Sequence, residues 1–211
     1  MSKRKVTTVY EFAGAGLFPT SADIYLAGPW TQKITGQPTV TIASGLAVLA
    51  LDATGEAQNA CLSHNDDLSF DIDDLVKVSF WAKLTVALGA AAKFRIGMCG
   101  ARADDVDAIA ASVFFGCTAD STIDAECDDG TNETAATSTG LTLSTTLRKF
   151  VIDFGSGVIT QSPPSLSHGG KYNILMYAEN STGQLLQVCK STRFNMGALT
   201  TNLQPYIQLQ K

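Results

Sequence analysis

The chain has 211 residues, of which 45% are hydrophobic and 17% are charged, so it can bury a sizeable core. Its net charge of −5 and sequence pI near 4.9 disfavour nucleic acids and anionic membrane surfaces as partners, because both select basic proteins. No apolar run approaches the roughly 18–20 residues of a transmembrane helix. The basic cluster Lys3-Arg4-Lys5 is not followed by the apolar segment of a secretory signal.

The cysteines point to a reducing compartment. Their odd count, wide spacing and lack of a CxxC pair favour reduced thiols in a protein made in a cytoplasm. His64 and His168 lie far from any paired cysteines, so we expect no zinc site. The five cysteines are Cys61, Cys99, Cys117, Cys127 and Cys189.

The first residues alternate with a period of two. Val6, Thr8, Tyr10 and Phe12 share one face, so we interpret residues 1–30 as an extended arm or first strand that precedes one domain over residues 31–211. Because no linker or fixed-period repeat follows, a single domain is expected over this range.

The stretch from Leu68 to Leu84 alternates most clearly. Its apolar face is interrupted only by Asp74, while Ser79 and Trp81 lie on the polar face. This pattern predicts one half-buried antiparallel strand, or two in-phase strands with a bend at Asp73-Asp74.

Further strands and turns follow along the chain. Residues 104–111 are the one helix candidate, as a single turn or a loop. Asp128-Asp129-Gly130 is typical of a hairpin turn, and residues 179–183 predict a hairpin loop. The segment 160–170 is predicted to be a long surface loop. Three further strands are predicted from alternating apolar residues that would face the core: Phe94, Ile96 and Met98; Val113, Phe115 and Cys117; and Phe150, Ile152 and Phe154.

The last predicted strand carries its apolar residues on one face and Gln204, Tyr206, Gln208 and Gln210 on the other. Since proline has no N–H, this strand is expected at a sheet edge, or paired on one side only at Pro205. An edge here would also be a surface for assembly with a neighbouring sheet. The apolar residues of this assembly edge are Leu203, Pro205, Ile207 and Leu209.

About ten to twelve short strands separated by turn signals predict an all-β fold. We expect a two-sheet antiparallel sandwich or jelly roll.

The aspartates between residues 66 and 74 are the first candidate for chemistry. Asp71 and Asp73 would lie roughly 6.5–7 Å apart on one strand face, as carboxylates do in some glycosidases. The stretch lacks both glutamates of the acidic E-x-D-x-x-E strand motif, and position 76 is valine. We therefore expect a solvated strand entry and no enzyme activity.

Calcium is a second candidate, because the aspartates near residues 66–74 and 128–132 supply oxygen ligands. Neither stretch has the spacing of a calcium loop, so no cofactor is expected, although calcium stays open. No G-x-S-x-G motif indicates a nucleophile.

Glycan binding is the third candidate. Trp81 lies on the polar face of its strand and Tyr206 faces away from the presumed core, where an aromatic ring can stack on a sugar. Trp81 could equally be covered by a loop or by a partner subunit.

Three segments resemble a family of bacteriophage head proteins with a concanavalin A-like (LamG-like) jelly roll. They are FDIDDLVKVSFWAKL, AECDDGTNETAATSTGLTLSTTLRKFVIDF and RFNMGALTTNLQPYIQLQK. The first sixty residues match less clearly. The resemblance carries no catalytic residues.

The resemblance implies a structural virion protein, that is, a capsid decoration (cement) protein or head-fibre subunit on the capsid surface. Its partners would be the major capsid protein and its own copies, with a trimer preferred. The alternative is a lectin-like carbohydrate-binding module that attaches the particle to glycans.

Overall fold

The computed structural model describes residues 30–155 and 171–211. The first strand predicted at residues 6–12, and all of the predicted arm except Trp30, lie outside the described residues. The loop predicted at residues 160–170 also lies entirely outside them.

The described residues form an all-β structure with one 3₁₀ turn at Val106–Ala108, where a single turn was one of two predicted outcomes. No helix in this part of the chain is long and apolar enough to cross a membrane. The strands are β1 Thr31–Thr35, β2 Thr39–Ala43, β3 Leu46–Ala50, β4 Asn59–Ser63, β5 Lys77–Ala82, β6 Lys93–Cys99, β7 Ser112–Thr118, β8 Thr122–Asp128, β9 Glu133–Thr142, β10 Arg148–Asp153, β11 Leu175–Glu179, β12 Leu185–Gln187 and β13 Gln204–Gln210.

All strand pairs are antiparallel. The large sheet has the order β1-β4-β13-β6-β7-β8-β9, and the small sheet has the order β12-β11-β10-β5. Strands β2 and β3 form a separate hairpin, which packs through Val40 on Ala60 and Leu62 of β4.

The main core lies between the large and small sheets. Phe115 of the large sheet and Phe150 of the small sheet meet with ring centroids 5.1 Å apart. Ile96, Phe115 and Ile152 are all buried in one cluster, as their alternation predicts. The predicted antiparallel sandwich is therefore confirmed.

The last strand corrects one prediction. β13 lies in the middle of the large sheet, between β4 and β6, so the assembly edge expected at Leu203, Pro205, Ile207 and Leu209 is wrong. Pro205 is opposite Met98 of β6, while the pairing with β4 begins only at Tyr206. The missing N–H is thus tolerated because Pro205 is paired on one side only, which was the other expectation.

The aspartate-rich stretch contains a bend, which was one of the two predicted outcomes. Phe70 bridges to Leu203, and β5 starts after a turn. The Asp71 carbonyl accepts hydrogen bonds from the N–H groups of Asp74 and Leu75, and its carboxylate accepts one from Asp73. The turn replaces strand geometry because Asp71 satisfies these backbone donors locally.

Both predicted hairpin turns are present. Asp128-Asp129-Gly130 connects β8 to β9, with Gly130 at a φ of 83° that glycine adopts without strain. Asn180 orders the loop between β11 and β12, because its side-chain oxygen accepts N–H bonds from Thr182 and Gln184.

Candidate functional site

Tyr206 is not a sugar-stacking residue in this structure. It faces away from the main core, as its position in β13 predicts, but it is completely buried. The loop of residues 100–111 covers it, and its hydroxyl donates to the Ala103 carbonyl over 3.3 Å. Phe114 packs beside it, with ring centroids 5.6 Å apart. A two-residue period shows which face a side chain occupies, but not whether a loop covers that face.

The side chains of β13 hold this covering loop on the large sheet. Gln204 donates to the Gly100 carbonyl and to Asp66, while its oxygen accepts the N–H groups of His64 and Asp66. Gln208 donates to the Asp104 carbonyl over 2.9 Å. These two side chains on the predicted polar face of the last strand are therefore buried under the loop and hold it in place.

Beside the covering loop lies a small polar cleft of about 110 Å³. Two of its acidic side chains pair with cations of β6, Asp107 with Lys93 and Glu126 with Arg95. Arg95 donates to both carboxylate oxygens of Glu126, and it is almost completely buried. The acidic residues that line the cleft are Asp107, Glu126, Asp128 and Glu133.

Further hydrogen bonds fix the Arg95 guanidinium over the large sheet. It donates to the carbonyl oxygens of Phe94 and Cys117 and to the Thr118 hydroxyl, at 3.1–3.3 Å. Gly116 leaves room for it, since a Cβ there would lie 2.5 Å from the arginine side chain. Because its donors are satisfied internally, we interpret this ion pair as structural.

No group of His, Cys, Asp or Glu within residues 30–155 and 171–211 has an arrangement that could hold a metal ion. Asp73 instead pairs with Lys171 over 2.9 Å. Asp129 is buried, and its carboxylate accepts bonds from Asn132, Thr131 and Ala198. Burial raises the pKa of Asp129, but these hydrogen bonds outweigh that effect and lower it.

Trp81 is exposed, as expected, with 54% of its surface accessible. It lies on the outer face of β5, and the Lys149 ammonium of the adjacent strand β10 sits 5.0 Å from its ring centroid. One side of the ring thus contacts a cation from its own sheet. The ring remains a candidate for contact with a sugar or with a second protein.

Trp81 belongs to an open sheet edge. Among the described strands, β5 pairs only with β10, so its other side has no strand partner. Val78 and Phe80 point to the main core, yet both are only half-buried, as side chains at a sheet edge are. We call the unpaired side of β5 the β5 edge.

The register shows which backbone groups the β5 edge presents. The Phe154 N–H donates to the Val76 carbonyl over 3.0 Å, so these residues form a hydrogen-bonded pair. Such pairs alternate along an antiparallel ladder, so Val78 and Phe80 also bond to β10. The N–H and C=O groups that point outward along the β5 edge are those of Lys77, Ser79 and Trp81.

The other outer strand of the small sheet is also open in the described part of the chain. β12 pairs only with β11 and exposes Leu185 and Leu186, each 44% accessible. We call this side the β12 edge. The sequence predicted the hairpin loop that precedes β12, but not the position of β12 at an edge.

No protein-family model matches the sequence, and no curated protein is significantly similar to it. A solved structure of a protein of unknown function from Shewanella oneidensis MR-1 has a similar fold, with a TM-score of 0.51. The match covers 98% of this chain and 89% of that chain at 10% identity. At this identity the likeness concerns the fold alone.

Proposed function

We propose that this protein is a structural head protein of a bacteriophage, which decorates the capsid and binds the major capsid protein and its own copies. The concanavalin A-like jelly roll that the sequence resemblance implies is part of this proposal. The phage context comes from the three segments that resemble such head proteins.

The observation that carries the proposal is the pair of edges of the small sheet that the described strands leave open. A decoration protein needs one surface for the capsid and another for neighbouring copies. The β5 edge and the β12 edge lie on opposite sides of one sheet, and each exposes large apolar side chains. Unpaired edges with apolar side chains favour addition to another protein's surface.

We assign capsid contact to the β12 edge, because Leu185 and Leu186 are adjacent and exposed. The test co-expresses the chain with the major capsid protein of the same genome and measures co-sedimentation with the assembled shells. The double variant Leu185→Ser, Leu186→Ser is expected to bind shells at least about tenfold more weakly. Val48→Ser, which alters an exposed residue of the β2–β3 hairpin, is the matched control.

Cryo-electron microscopy and mass spectrometry of purified virus particles test the wider proposal. We expect the chain on the outer capsid surface at a fixed ratio to the major capsid protein. Its absence from particles, or wild-type chain that does not sediment with shells, would overturn the proposal.

Glycan attachment is the second candidate, and the exposed Trp81 ring favours it. A glycan array should then show saturable binding that Trp81→Ala abolishes. Tyr172→Ala removes another exposed aromatic ring and should leave binding unchanged. Absence of saturable binding on the array would remove this candidate.

A further inference from the structure

We propose that the β5 edges of two copies pair in antiparallel fashion around a twofold axis, with Ser79 opposite Ser79 of the second copy. The inference deepens the proposed function by naming one partner, and it rests on that function only for its biological purpose. Its test uses the isolated protein in solution, so the two can fail separately.

The backbone of the β5 edge is arranged for this pairing. Lys77, Ser79 and Trp81 point their N–H and C=O groups outward, while Val78 and Phe80 are bonded to β10. With Ser79 on the twofold axis, Lys77 of each copy lies opposite Trp81 of the other. All three facing pairs are then hydrogen-bonded pairs, and each exchanges two backbone hydrogen bonds.

The side chains are self-complementary in this register. A lysine lies opposite a tryptophan on the outer face, which repeats the Lys149–Trp81 contact already present between β10 and β5. On the inner face, Val78 meets Phe80 of the second copy, and both are apolar and half-buried. Aromatic and β-branched cross-strand pairs stabilise sheets.

The usual protections against edge pairing are weak in β5. The strand contains no proline, its register with β10 is continuous, and its inward side chains are uncharged. Lys77 is its one charged residue, and Asp153 of its own sheet pairs with it over 3.0 Å. The lysine charge is therefore partly balanced before the second copy approaches.

Twofold pairing uses the same strand on both copies, so the assembly closes as a dimer. This differs from the trimer expected from the sequence resemblance. Pairing would join the two small sheets into one continuous sheet across the dimer.

The first test measures molar mass by light scattering during size-exclusion chromatography. Wild type is expected to elute as a dimer. Ser79→Pro removes an outward N–H without removing a bond to β10 and should raise the dimer dissociation constant about tenfold or more. Circular dichroism and thermal unfolding must show that this variant stays folded. The second variant is Trp81→Lys, which puts a lysine opposite Lys77 of the other copy.

The second test uses engineered cysteines to read the register. Facing residues of a hydrogen-bonded pair have Cα atoms about 5.5 Å apart, which a disulfide can span. Ser79→Cys should form a covalent dimer on oxidation, whereas Lys77→Cys, opposite Trp81 of the second copy, should not. A monomeric or trimeric wild type, or covalent dimers from Lys77→Cys but not from Ser79→Cys, would overturn the inference.

Discussion

At the scale of single residues, buried charge is the feature with the largest expected effect on stability. Arg95 is surrounded by hydrogen-bond acceptors, and only 5% of its side chain is exposed. Its partner Glu126 is 23% exposed, so the pair is partly screened by solvent. Removing the Glu126 carboxylate would leave the buried guanidinium without its ion-pair partner.

We therefore expect Glu126→Ala to lower the free energy of unfolding by about 2–4 kcal/mol. Chemical denaturation measures this change. Asp104→Ala, which removes one side of the exposed Lys33–Asp104 pair, is the control and should cost less than about 1 kcal/mol. Equal effects of the two substitutions would show that other groups stabilise the buried charge of Arg95.

His64 should make stability depend on pH. It is buried against Trp30, with ring centroids 5.0 Å apart, and burial lowers its pKa to about 4. In the unfolded chain its pKa is about 6.5, so between these values the unfolded state binds more protons. Stability is then complete above about pH 6.5 and falls as the pH decreases toward 4.

The variant His64→Phe keeps a ring but cannot bind a proton. Urea denaturation at steps from pH 7 to pH 4.5 should give a shallower decline for this variant than for wild type. If the free energy of unfolding fell equally with pH in both proteins, the assignment of this pH dependence to His64 would be contradicted.

At the scale of elements, the covering loop of residues 100–111 is held by β13 rather than by secondary structure of its own. Its only regular element is the short turn Val106–Ala108. Gln204 connects the Gly100 carbonyl of the loop to the backbone N–H groups of His64 and Asp66, and the Arg102 N–H of the loop also donates to the Asp66 carboxylate. Loop order and the central strand are therefore coupled.

Gln204→Met should increase amide hydrogen exchange in residues 100–111 and 64–66 at least about tenfold, because buried donors and acceptors lose their partners. Exchange detected by mass spectrometry checks this effect. Gln184→Met changes an exposed glutamine in the β11–β12 loop and should leave these segments unchanged. If residues 100–111 and 64–66 were equally protected from hydrogen exchange in both variants, other contacts would hold the loop.

Strand positions were harder to predict than strand existence. The alternation of Val78, Phe80 and Trp81 predicted β5 and its faces correctly, whereas the proline in β13 indicated an edge that the sheet does not have there. A proline removes the hydrogen bond of its own N–H only. Here the pairing of β13 with β4 does not extend to Pro205, so the strand can still be central.

At the scale of the whole molecule, the sandwich places four of the five thiols out of reach of solvent. Cys61, Cys99, Cys117 and Cys127 are buried, and only Cys189 is half-buried. Burial raises the pKa values of all five, to about 12 for Cys61, Cys117 and Cys127. The thiolate that reacts is therefore scarce as well as shielded.

We expect a thiol reagent to label at most Cys189 in the native protein at neutral pH, and all five cysteines in denaturant. Mass spectrometry of the labelled chain counts the modified residues. Cys189→Ser should remove the native signal altogether. Rapid native labelling of Cys61 or Cys99 would show that the covering loop opens readily.

The sequence by itself determined the fold class, the faces of the strands and the turns at Asp128–Gly130 and Asn180, because these depend on contacts between neighbours along the chain. Tertiary structure alone decided that β13 is central, that β5 and β12 are the outer strands of the small sheet among the described residues, and that Tyr206 is covered. Strand order and loop coverage depend on contacts between residues far apart in sequence, and a period of two carries no information about them. The candidate contact surfaces therefore became visible only when the sheets were assembled.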